Sequence, residues 1–205
     1  MEILKRNIAI ILVLIVSSAF SQTEVDIQNA FKESYQLEKN GEYSQAIKVL
    51  KNYYSEESYD INLRLGWLHY LSGLFTESAP YYQKCIQLKP LSIEARLGIV
   101  NPAASMGNWT QVEKIYTEIL AMDPENTTVN YRLGVIYYGR EDYKGALKYF
   151  EKLLNHYPFD YDAIIMSAWT HYKMGETRKA KILFNKALLN QPNDKSALEG
   201  LSLLE

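Results

Sequence analysis

Residues 127–160 read TTVNYRLGVIYYGREDYKGALKYFEKLLNHYPFD. Apolar side chains recur at three- and four-residue spacing through positions 1 to 14 of this stretch and again through positions 17 to 30, the period of an amphipathic helix. Glu141 stands between the two runs. Pro158 follows the second, and proline cannot continue a helix, because it lacks the N–H and clashes with the preceding turn. The stretch therefore predicts a helix hairpin with a stop behind it.

The hairpin repeats. Pro90, Pro124, Pro158 and Pro192 lie 34 residues apart in succession, and only Pro80 and Pro102 fall outside the series. Counting back from each proline gives units at 59–92, 93–126, 127–160 and 161–194, preceded by a shorter, proline-free unit at 27–58. At unit position 15, where the helices reverse, stand Gly41, Gly73, Gly107, Glu141 and Gly175. Glycine suits that place because it takes positive φ without a Cβ clash. Position 8 (Ser34, Gly66, Val100, Gly134, Ala168) and position 20 (Ala46, Ser78, Val112, Ala146, Ala180) are small, and position 24 (Leu50, Tyr82, Tyr116, Phe150, Phe184) is large. Small against large is what close packing of paired helices demands.

At these residues the chain resembles the tetratricopeptide repeat (TPR) family. Leu65-Gly66, Ser78, Tyr82 and Pro90 in one unit, and Leu133-Gly134, Tyr137, Ala146, Phe150 and Pro158 in another, stand where that family keeps its Leu-Gly, Tyr, Ala, aromatic and Pro. The resemblance covers roughly residues 27–194. It implies an all-α fold, a right-handed α-solenoid of about five hairpins, and a scaffolding or peptide-binding role. The unit at 27–58 is expected to cap the N-terminal end, since terminal repeats are atypical. At the other end Asp194 is a plausible N-cap, and Ala197, Leu198, Leu201 and Leu204 line one face of a capping helix over 195–205. The third unit departs from the pattern: Pro102 falls inside its first helix, and Leu97-Gly98 arrives two residues before the usual Leu-Gly. Either the helix kinks or ends near Asn101, or a two-residue register slip is absorbed in the loop.

Ahead of the repeats, Lys5 and Arg6 precede a 13-residue stretch, 8–20, without charge, and Ala19-Phe20-Ser21 offers small residues where a signal peptidase reads. This predicts a secretory signal over 1–21, with residues 22–205 as the exported TPR domain and the membrane touched only in transit. The run is shorter than the roughly 20 residues of a spanning helix. Export to a periplasm, a cell surface or the medium follows as the expected location. Two sequons, at Asn108 and Asn126, lie beside turns where a glycan fits.

Chemistry is sparse. Lys+Arg number 22 against Asp+Glu 24, so no basic field exists to attract a nucleic acid. A single cysteine, Cys85, excludes an intramolecular disulfide and any multi-cysteine metal site; its place in the second helix predicts a buried, inert thiol. His69 and His171 share position 11, three repeats apart, where the family keeps a packing Tyr, and His156 falls in a solvated loop. Phosphate loops, His-Glu metal pairs and serine elbows are missing from the sequence. We expect no enzyme, no cofactor and no metal, but a protein partner.

In the resembled family the first helix of each unit lines a concave groove, and positions 5, 9 and 12 project into it. Here those positions include Phe31, Tyr35, Trp67, Tyr70, Tyr131, Tyr138, Trp169 and Tyr172. Tyrosine and tryptophan give large contact area with a polar handle, which suits capture of an extended or helical segment. The same stripe also fits packing between neighbouring units. Family members that hold a terminal carboxylate use Lys at position 5 with Asn at position 9; no Lys stands at position 5 here, so that activity is not carried over. The alternative function is a structural or self-assembling subunit of an envelope complex, joined through the convex surface or the solenoid ends.

Overall fold

The computed structural model describes residues 24–205. The expected signal segment, 1–21, lies outside the described residues. Those residues form eleven α-helices and no strand. Helix α1 covers 24–39, and α2 is Tyr43–Lys51. Next come α3 (Tyr59–Leu71), α4 (Phe75–Leu88), α5 (Ile93–Ser105) and α6 (Trp109–Met122). The series closes with α7 (Thr127–Gly139), α8 (Tyr143–His156), α9 (Tyr161–Lys173), α10 (Thr177–Asn190) and α11 (Lys195–Ser202). No helix among the described residues is long and apolar enough to cross a membrane.

Local chemistry explains five of the helix starts and the reversals within each hairpin. Ser58, Ser92, Asn126, Asp160 and Asp194 precede α3, α5, α7, α9 and α11, and each side chain accepts a hydrogen bond from the backbone N–H three residues on. These caps recur every 34 residues and satisfy donors that a helix start leaves open. Of the five caps, only Asp194 is conspicuous from its surroundings in sequence. The reversals between paired helices also share one geometry. Gly41, Gly73, Gly107 and Gly175 have φ between 72° and 77°, and Glu141 has φ 64°. At each reversal the amide of the next residue reaches back five residues to a helix carbonyl, as Leu74 does to His69 and Asp142 to Tyr137.

The chain forms two compact units, one ending at Val112 and the other beginning at Glu113. In the first, α2 packs on α3, α3 on α4 and α5, and α4 on α5. Ala30, Ala46, Leu50, Leu65 and Leu68 form one cluster of its core. In the second, α7 packs on α8 and α9, and α11 on α9 and α10; Ile164, Ala168, Ala180, Phe184 and Ala197 belong to one buried cluster of its core. The first hairpin is short because α2 has nine residues where α4 has fourteen.

Aromatic rings at position 24 key these helices together. The Tyr82 ring lies 3.0 Å from where a Cβ on Gly66 would be, and it also fills the space a Cβ on Gly98 would need. Phe150 stands in the same relation to Gly134, and Phe184 to Gly200. This corrects the expectation for the third unit. Gly98 is not an early position-8 glycine; it receives the ring of the preceding hairpin, as Gly200 does. The frame has not slipped, since α5 starts 34 residues after α3 and its turn falls at Gly107. Nor does α5 end near Asn101: it runs through the buried Pro102 to Ser105. The proline comes late in the helix, so it deletes one hydrogen bond while packing of Ala95, Ile99 and Ala103 holds the rest.

Two substitutions should move stability in opposite directions. Glu141→Gly removes a left-handed non-glycine residue, and urea unfolding followed by circular dichroism should show a gain of about 1 kcal/mol. Gly98→Ala puts a methyl into the Tyr82 ring and should cost about 1–3 kcal/mol in the same measurement.

Candidate functional site

Three successive first helices, α1, α3 and α5, with Tyr82 of α4, line an open cavity of about 430 Å³ in the first unit. Phe31, Tyr35, Leu63, Trp67, Tyr82 and Leu97 supply its apolar and aromatic walls. Asp60, Arg64, Glu94 and Asn101 supply its polar groups. The amphipathic period explains the lining: residues four apart on one helix, such as Phe31 and Tyr35 or Leu63 and Trp67, share a face.

Arg64 organises this place. Its side chain is 6% exposed, it forms an ion pair with Glu38, and its Nε donates to Ser34 Oγ at 3.1 Å. The guanidinium lies 3.8 Å from the centre of the Tyr35 ring, a cation–π contact. Nη2 has no acceptor. Glu38 also accepts from Trp67 Nε1 at 2.9 Å, so one carboxylate on α1 ties together an arginine and a tryptophan on α3. Trp67 then leads into a row of rings, with Tyr70 5.6 Å away and Phe75 5.8 Å beyond that. Tyr35 is 52% exposed, whereas Trp67 and Tyr70 are half-buried. On the rim, Glu94 accepts from Tyr59 Oη at 3.1 Å.

The other four aromatic residues singled out from sequence belong to the second unit. Tyr131 is half-buried against Phe150, 6.1 Å between centres, and Tyr138 meets Tyr143 edge-on at 5.6 Å. Burial raises the phenol pKa of both. Trp169 is a packing hub: it lies edge-on to Phe184 at 5.0 Å and to Tyr172 at 5.6 Å, and its Nε1 donates to Ser196 Oγ of α11 at 2.8 Å. Phe31, Tyr35 and Trp67 thus come together around one cavity, with Tyr70 behind Trp67, whereas Trp169 and Tyr172 pack beneath α11. The groups overlooked in sequence are Arg64, Asp60 and Glu94. For Arg64 there was a signal, a lone arginine in the otherwise apolar run Leu63–Leu65 before Gly66.

Other reactive side chains are occupied structurally. His69 is buried with Nδ1 2.7 Å from the Leu65 carbonyl, and burial lowers its pKa. His171 is also buried, with Nδ1 2.6 Å from Glu176 Oε2. Bonds from Lys179 first and His171 second hold the Glu176 carboxyl below the usual range. His156 is exposed but not simply solvated, since its Nε2 lies 2.7 Å from Glu125. Cys85 is fully buried, its thiol donates to the Tyr59 carbonyl at 3.4 Å, and burial pushes its pKa up to about 12. Among the described residues no group of three or more His, Cys, Asp or Glu is placed to hold a metal ion.

Comparison with known proteins agrees with the architecture. A family profile described as Tetratricopeptide repeat matches residues 137–203, and a second of the same description matches 31–93 and 99–161. Protein O-mannosyl-transferase TMTC1 of Homo sapiens is 30% identical over 96 residues, 47% of this chain but 11% of that protein. TPR repeat-containing protein YpiA of Bacillus subtilis (strain 168) is 24% identical over 165 residues, 78% of this chain and 39% of that one. The chain thus spans only a minor part of either relative. Among solved structures, a tetratricopeptide repeat protein from Parabacteroides merdae ATCC 43184 superposes with TM-score 0.74 at 20% identity, over 87% of this chain and 72% of that one. MamA superposes with TM-score 0.68 at 18% identity, over 81% and 92% of the two chains. At such identities the structures share the fold.

Reactivity of Cys85 reports on the packing around it. At pH 8 iodoacetamide should leave the native thiol unmodified for hours while urea-unfolded protein takes up one equivalent, read by intact mass. The folded pKa is raised, so the stability contributed by the neutral thiol is present below its ordinary value of 9 and is lost as pH climbs from there towards 12. Urea midpoints should therefore fall across that alkaline window, less so in Cys85→Ala.

Proposed function

Because the chain belongs to the tetratricopeptide repeat family, whose members are protein-interaction scaffolds, we propose that it is a non-catalytic scaffold binding a segment of a partner protein along its first helices. The observation that carries this reading is the 430 Å³ cavity between α1, α3 and α5, walled by aromatic side chains and containing a buried arginine with a spare donor. Its dimensions suit one or two side chains of an extended segment. Tyr35 and Trp67 offer broad, stiff contact surfaces that lose little rotamer freedom when covered. The charged n-region and apolar run at 5–20 support a working place outside the cytoplasm, a periplasm or cell surface in a bacterium.

A second reading, an assembly subunit that joins copies or complex partners through other surfaces, draws on a different observation. In the second unit Phe159 is 54% exposed and Leu189 75% exposed, and Asn190 donates to the Phe159 carbonyl at 2.6 Å, which places these apolar residues on one surface.

A photo-crosslinking amino acid placed at Tyr35, compared with one at the exposed Ile182 of α10 in the intact protein in its native cells, separates the readings. Groove binding predicts a discrete adduct from position 35, mapping to one segment of one protein and missing from position 182. Identical products from both positions, or adducts only to other copies of this chain, would count against it. Trp169→Ala is a poor probe: loss of its contacts with Phe184 and Ser196 should lower stability by about 2–3 kcal/mol, whereas Tyr35→Ala should cost under about 1 kcal/mol.

A further inference from the structure

The cavity of the first unit has a sign. Arg64 is its one lining cation, and Glu38 already neutralises it. The two remaining charges that line the cavity are the carboxylates of Asp60 and Glu94, each in the first turn of its helix and neither in an ion pair. Both side chains are exposed, so they meet an incoming group before the walls do. Leu63, Trp67 and Leu97 line the same cavity as these carboxylates and the arginine, apolar surface on which an alkyl stem can lie. Independently, Nη2 of Arg64 is buried and lacks an acceptor, although such a donor nearly always has one. Arg64 needs no second anion, so a neutral carbonyl is the acceptor that fits.

We propose that this cavity takes an extended peptide segment bearing a lysine or arginine. The stem of the basic side chain lies on Leu63, Trp67 and Leu97, its charged head sits between Asp60 and Glu94, and a backbone carbonyl of the segment accepts from Arg64 Nη2. This deepens the groove reading and rests on it. Each contact has a plain physical origin. Aromatic faces attract a cation, a long basic side chain buries its methylenes while keeping its head wet, and an acidic segment would add a third negative charge beside Asp60 and Glu94. Because the Tyr35 ring lies over the guanidinium and is half exposed, the segment reaches Nη2 by moving that ring aside.

Fluorescence anisotropy on the intact protein tests this with three labelled twelve-residue peptides that are identical but for a central Lys, Gln or Glu among leucines and serines. The Lys peptide should bind at least about tenfold tighter than the Gln peptide, with an advantage that shrinks as salt is raised. Asp60→Asn combined with Glu94→Gln should bring the Lys and Gln peptides to equal affinity, with the loss falling on the Lys peptide, in protein that circular dichroism shows to be folded; Asp60→Asn alone gives an intermediate result should the pair unfold. Equal binding of all three peptides, or tightest binding of the Glu peptide, overturns the preference for a cation and leaves the groove reading standing. No binding of any peptide up to millimolar concentration removes both.

Discussion

An aromatic ring wedged where two helices have no Cβ is the contact on which this structure turns. Tyr82 occupies space on α4 that side chains on Gly66 and Gly98 would otherwise take, so α4 is drawn against α3 of its own hairpin and α5 of the next. Phe184 does the same between α10 and Gly200 of α11. A ring of that size buries of order 150–250 Å², and burial at about 25 cal/mol per Å² makes each such key worth several kcal/mol before entropy is counted. A hairpin alone has nothing to cover its second face. The neighbouring glycine supplies the cover, which is why isolated repeats do not stand by themselves.

That arrangement has a consequence for the inner face. With the second helices holding the spacing, the first helices of the first unit are left partly uncovered along one side, and the residues there answer to neighbours two helices away. Arg64 on α3 finds Ser34 and Glu38 on α1, and Trp67 shares the same Glu38. A buried guanidinium without such partners would be costly; with them it is a fixed, neutralised group that leaves one donor over.

Much of this was legible in the sequence. Turn glycines, the small and large positions and the spaced prolines each express a local rule repeated at a fixed interval, so periodicity alone exposes them. The cap residues Ser58, Ser92, Asn126, Asp160 and Asp194 obey the same interval but vary in type, and a search for one residue hides them. Gly98 was misread for a more physical reason: a glycine can serve its own hairpin or receive a ring from the one before, and spacing within a single unit cannot tell these apart. The Arg64 network lay further from view, since it joins residues 26 to 30 positions apart whose meeting depends on how α1 is rotated against α3.

Trp67 and Trp169 show where repetition stops being a guide to function. Both hold position 9, both present an indole on the same face of a first helix, and both spend the indole N–H inside the chain. What differs is the neighbour. Trp67 donates to Glu38 and remains on the wall of a cavity shared with α5, because the next hairpin contributes Leu97, Gly98 and Asn101 without filling the space. Trp169 donates to Ser196 and is packed against Phe184, because the element that follows is a short helix whose Gly200 lets it close in tightly. Equivalent positions in a repeat therefore share a backbone setting and a direction, while access is decided by the size of the residues on the element that comes next. A groove in such an array is the set of inner-face positions whose successor is too small or too distant to cover them.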